Sequence, residues 1–197
     1  MRLLLLLAVL LPCVSNAQVI LKIPKVNQRA VEETKIAVLL AQATNGELEV
    51  NLDGEGGSVG YGYQIAEGLR LSKGLKITCT IHKQAYSMDA WLMEMIPCHR
   101  TIDEGAVMVL HKPTVSPKDR KGDGKSDEYY DQIEKDSLVW LCTYTAGATE
   151  GKITLDECQN HLNKALLGLW VFGDKKAKEN GLVNEIIPTS SHSAPAK

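Results

Sequence analysis

Short runs rich in Val, Ile and Leu recur along the chain at 19–23, 47–52, 76–81, 106–110 and 182–187. Runs of this length, bounded by polar and Gly-containing segments, predict β-strands. Between them the apolar positions take helical spacing. Residues 27–42 are strongly apolar in their second half, Gly62, Ile65, Ala66 and Leu69 share one face before Gly74, and 87–96 is closed by Pro97. Two further helices are expected at 127–142 and 155–167. Strand alternating with helix at this period implies βαβ units and an α/β fold, a mostly parallel sheet flanked by helices. Ligands are then expected beyond the carboxyl ends of the strands. The stretch KPTVSPKDRKGDGKSDE shows no periodicity and reads as an exposed, mobile loop.

The two ends fall outside this pattern. MRLLLLLAVLLPCVSNAQ carries one basic residue, a short apolar block and a small-x-small ending at Ser15 and Ala17, which predicts a secretory signal over 1–17. A lipoprotein site at Cys13 is disfavoured by Pro12. The remaining 180 residues suffice for one domain over 18–188, followed by a disordered tail at 189–197. The expected setting is periplasmic or secreted.

Net charge is −2 with no Lys/Arg cluster, which excludes nucleic acid as the expected partner. Four cysteines follow the signal: Cys79, Cys98, Cys142 and Cys158. They permit two disulfides, and sequential pairing would close short loops; four buried thiols is the alternative. No C-x-x-C is present, so no metal is expected.

Several glycine motifs fail on inspection. In GDGKS the first glycine of a phosphate loop would fall at Asp119, and Lys121 and Tyr130 stand where a calcium loop needs oxygen ligands. LDGEGGSVG lacks the dinucleotide-binding register. Three segments at strand ends survive: Gly56-Gly57-Ser58-Val59, Gln84-Ala85-Tyr86-Ser87-Met88 and Leu110-His111-Lys112-Pro113. Together they hold what acyl transfer needs. Ser87 is a candidate nucleophile at a helix start, His111 a candidate base, and the glycine turn can offer amides to a developing oxyanion. Taken singly, the turn would be mere geometry, Ser87 an N-cap and His111 a histidine beside a turn.

The order and spacing of these segments, 30 residues from Gly57 to Ser87 and 24 from Ser87 to His111, closely resemble those of the proteolytic subunit of the Clp serine peptidases. That family has a crotonase-like fold of stacked ββα units, and the likeness runs from about Ile20 to Ile187. The resemblance implies Ser87 as nucleophile, His111 as general base, and the amides of Gly57 and Met88 as the oxyanion hole. It also implies a peptide or protein substrate, no cofactor, and a homo-oligomer joined through the helix at 127–142, with Tyr129, Tyr130, Ile133, Leu138 and Val139 fit for partial burial in a partner.

The sequence also departs from the family. The triad aspartate should stand about a dozen residues before Gly181, where Gly168 and Leu169 occur. Asn163, Asp156 and Asp174 are the nearby substitutes, Asn163 being preferred because asparagine can still hold an imidazole tautomer. Tyr86 and Asp89 replace small residues common around the family's nucleophile, with Trp91 following. An exported chain meets no useful ATP, so no ATPase partner is expected, a setting closer to the signal peptide peptidase relatives. The expectation is therefore an ATP-independent serine endopeptidase. The alternatives are a binding or assembly module that has lost the acid, and an acyl-thioester enzyme of crotonase type.

Overall fold

Parallel strand pairing dominates the computed structural model, which describes residues 18–122, 124–165 and 168–189. The 1–17 segment, the tail from 190 and Leu167 lie outside the described residues. Five strands form the central sheet in the order β1-β2-β3-β5-β8: β1 (Val19–Lys22), β2 (Glu47–Asn51), β3 (Lys76–Ile81), β5 (His99–Asp103) and β8 (Glu185–Ile187), every neighbouring pair parallel. A three-stranded sheet, β4-β6-β7, joins β4 (Gln84–Tyr86) in parallel to β6 (Val107–His111), which pairs antiparallel with β7 (Leu169–Gly173). The α/β expectation holds.

Alternation along the strands decides the layers. Leu21, Leu48, Val50, Ile77, Cys79, Ile81 and Ile102 face a buried core. Helices α1 (Gln28–Ala43), α2 (Val59–Arg70), α3 (Met88–Met95), α5 (Asp127–Ala148) and α6 (Leu155–Lys164) pack in succession, each against the next. Helix α3 is apolar nearly all round, and every residue from Met88 to Met95 is buried, as befits a helix inside a core.

Five elements escape the hydrophobic pattern: β4, β5, β7, α4 (Pro117–Gly122) and α7 (Asp174–Glu179). They are three to six residues long, and β4, β5, α4 and α7 carry too few apolar residues for a run or a period to register. Helix α4 corrects the expectation of a structureless loop. Arg120 on it reaches Asp131 at 3.0 Å and Glu134 at 2.6 Å on α5, tying the segment down.

Both sequential disulfides form, Cys79–Cys98 between β3 and the approach to β5, and Cys142–Cys158 between α5 and α6. Two disulfides fit an oxidising compartment. Among the described residues no helix is long and apolar enough to cross a membrane.

Candidate active site

Ser58, Ser87 and Ser126 each stand at a helix N-terminus, and Ser87 behaves differently from the other two. Ser58 caps α2, its side chain accepting from the Tyr61 amide in ordinary extended geometry. Ser87 stands at the same position before α3 but makes no side-chain cap. Its backbone is at φ 56°, ψ −124°, one of two non-glycine residues at positive φ among the described residues. Such a conformation costs on the order of 1–3 kcal/mol and persists only where surrounding structure enforces it. It is also the sharp strand-to-helix turn that lifts a serine hydroxyl out of a sheet edge. The enforcing contacts are visible: the Ser87 amide donates to Val109 O at 2.9 Å, and the Ser87 carbonyl accepts from Trp91 N at 3.1 Å.

The glycine loop packs against this turn. A Cβ on Gly56 would lie 2.5 Å from Ser87 Cβ and 2.7 Å from Met88 N, and Gly56 is itself at φ 83°. Gly57, at φ 147°, runs beside Val26, where a Cβ would lie 2.2 Å from the Val26 carbonyl oxygen. Val26 N donates to Gly56 O at 2.8 Å and Ser58 N to Val26 O at 3.0 Å. That bridge leaves the exposed Gly57 amide out of its ladder, while the Met88 amide is the first of α3, where helical amides have no intrahelical acceptor.

His111 ends β6 on the strand beside β4, and the register Tyr86↔Val109, continued by one residue, sets Ser87 opposite Leu110, the residue before His111. Its ring and its main chain each have a hydrogen-bond partner. Nδ1 lies 2.6 Å from Lys112 O, and the buried Trp91 donates from Nε1 to His111 O at 3.3 Å. With Nδ1–H spent on a carbonyl, Nε2 is left as the acceptor. No Ser87–His111 hydrogen bond occurs among the described residues; such bonds are often long before substrate arrives.

Gly168 and Leu169, where the resemblance would put an acid, stand beside His111 and Lys112. Leu169 pairs directly with His111 across β6 and β7, and Gly168 O accepts from Lys112 N at 3.0 Å. Gly168 has φ 63°, and a Cβ there would lie 3.3 Å from both Lys112 Cβ and Leu162 O. The substitutes lie elsewhere. Asn163 and Asp156 are exposed on α6, and Asp174 starts α7 with its carboxylate accepting from the amides of Gly105 and Lys175. Those amides hold the Asp174 pKa below the ordinary range. Lys112 O holds the imidazole at Nδ1, and no Asn163–His111 hydrogen bond occurs among the described residues.

Beside the glycine loop lies a cleft of about 330 Å³ between Gly57–Gly60 and the segment at 113–116, with Ile133, Glu134 and Ser137 of α5 beneath. Glu134 Oε1 accepts from Val115 N at 2.7 Å, fixing one wall. Tyr86 is partly exposed and Trp91 is buried. Asp89 is wholly buried and turned under the glycine loop, its pKa pushed up to about 7 by desolvation despite the Gly56 and Gly54 amides.

A second histidine went unnoticed in sequence. His82 Nδ1 lies 3.0 Å from Asp103 Oδ2, at the carboxyl ends of β3 and β5. Twenty-one residues separate them, and only the β3–β5 register brings them together. No family model matches the chain, and no curated protein matches it either.

Proposed function

We propose that this chain is an exported, ATP-independent serine endopeptidase of Clp-like type with a crotonase-like fold. The strained turn at Ser87, with its hydroxyl left uncapped at the start of α3 and the Gly56 backbone packed against it, carries the reading. A residue kept merely as a cap would adopt the relaxed geometry of Ser58.

An extended peptide enters the cleft between the Gly57–Gly60 backbone and the segment at 113–116, pairing as an added strand. Ser87 Oγ attacks the scissile carbonyl carbon while its proton passes to His111 Nε2. The carbonyl oxygen becomes an oxyanion and accepts from the Gly57 and Met88 amides, each such donor contributing roughly 2.7–4 kcal/mol in comparable sites. His111 then gives its proton to the leaving amine, and the C–N bond breaks to leave an acyl-serine. Water, deprotonated by His111, hydrolyses that ester and restores Ser87. Throughout, Nδ1–H donates to Lys112 O, which holds the tautomer. A neutral carbonyl stabilises imidazolium less than a carboxylate does, so turnover is slow.

The purified, oxidised chain should react with a fluorophosphonate probe, and Ser87→Ala and His111→Ala should each abolish labelling. An unlabelled wild-type chain favours the alternative of a binding module without the acid.

A homo-oligomer completes the proposal. On α5, Tyr130 and Leu138 are buried within the subunit, but Tyr129, Ile133 and Val139 are exposed. Light scattering that gives a monomer mass would refute assembly through this face.

A further inference from the structure

Asp89 is the charged group least expected in this core. It stands two residues after Ser87 in the first turn of α3, with no solvent exposure, among Met88, Ala90 and Trp91. Burying a carboxyl without a full set of partners is unfavourable. Its Oδ1 has no hydrogen-bond partner among the described residues. Its Oδ2 does have a backbone partner: Gly56 N donates at 3.3 Å, and the nearby Gly54 amide also favours the charged carboxylate. The loop is shaped around this oxygen, since a Cβ on Gly54 would lie 1.9 Å from Oδ2 and 2.6 Å from Pro24 O. Gly56, gripped by Asp89 through its amide and by Val26 through its carbonyl, directly precedes Gly57.

We infer that Asp89 is a positioning residue: its carboxyl holds the Gly56 amide from beneath, with Gly54 closed over it, and so presents the Gly57 amide toward Ser87. The catalytic consequence rests on the Ser–His reading proposed above; the hold on the loop does not. A carboxylate accepts roughly twice as strongly as a neutral group, so protonation of Asp89 loosens the grip. Asp53 is the other ionisable group acting on it, and favours the protonated form.

Three readings of the full oxidised chain test this. In wild type, the Gly54 and Gly56 amide proton resonances should titrate together, with a midpoint well above the ordinary carboxyl range, and Asp89→Asn should abolish that titration. Hydrogen exchange at Gly56 should quicken at least tenfold in Asp89→Ala and stay near wild type in Asp89→Asn, which keeps an acceptor oxygen. Probe labelling should fall at least tenfold in Asp89→Ala and be rescued by Asp89→Asn, whose rate should depend less on pH below neutrality. If Asp89→Ala does not fold, the wild-type titration decides, and its absence overturns the inference. Unchanged labelling in folded Asp89→Ala, with labelling still lost in Ser87→Ala and His111→Ala, overturns the positioning role and leaves the Ser–His reading standing. Absence of wild-type labelling refutes that reading, while the titration still decides the hold on the loop.

Discussion

His111 Nδ1 and the carbonyl oxygen of the next residue, Lys112, lie 2.6 Å apart, so the imidazole is oriented by backbone rather than by an acid. The neutral ring should therefore be the Nδ1–H tautomer. Nitrogen-15 shifts of His111 at a pH where the ring is neutral should show a protonated Nδ1 and a bare Nε2. The opposite pattern would remove the base from the proposed mechanism.

An acid can be supplied. Leu169 is directly paired with His111, and residues paired across antiparallel strands place their side chains on the same face about 5 Å apart. Leu169→Asp should speed probe labelling by about tenfold or more, a small part of the roughly 10⁴-fold a triad carboxylate can contribute. Gly168→Asp should not, because its φ of 63° and its 3.3 Å neighbours leave no relaxed place for a side chain. Labelling rates of the two variants side by side check this.

Gly57→Ala should destabilise the fold and abolish labelling together. Its Cβ would meet Val26 O at 2.2 Å at a φ of 147°, forcing the bridge apart. Strain at such a position is about 1–3 kcal/mol before the clash is added. A urea midpoint equal to wild type would refute the account of the loop.

Stability should fall as pH rises from about 4 to about 8. Desolvation raises Asp89 from 3.8 to about 7 and Glu94 from 4.5 to about 8, the latter despite Arg100 at 3.4 Å. Between the ordinary and raised values the folded state binds more protons than the unfolded, so each pH step upward favours unfolding. Urea midpoints at pH 5 and pH 8 should differ in that direction, and Glu94→Gln should narrow the difference.

Reduction should lower stability by about 3 kcal/mol for each disulfide. The closed loops, with separations of 19 and 16 residues, are of similar length, so Cys79→Ala/Cys98→Ala and Cys142→Ala/Cys158→Ala should lose similar amounts. Denaturant melts of the two double variants give the comparison.

The long elements were legible along the chain. Strands β1, β2, β3 and β6 and helices α1, α2, α3, α5 and α6 each announce themselves by period, because a face buried against a core must repeat at the pitch of its element. Ser87, His111 and the Gly56-Gly57 turn stand out as candidates for a related reason, since residue type and spacing express what acyl transfer would need. Tertiary structure alone decided the rest. The orienting atom of His111 is a main-chain oxygen, and main-chain atoms are the same at every residue, so no residue type marks it. Leu169 faces His111 only because β6 and β7 pair antiparallel, a register absent from local pattern. Asp89 could have lined the cleft or lain beneath the loop; the rotation of α3 against the Gly54–Gly56 backbone put it beneath, where burial changes both its charge and its task.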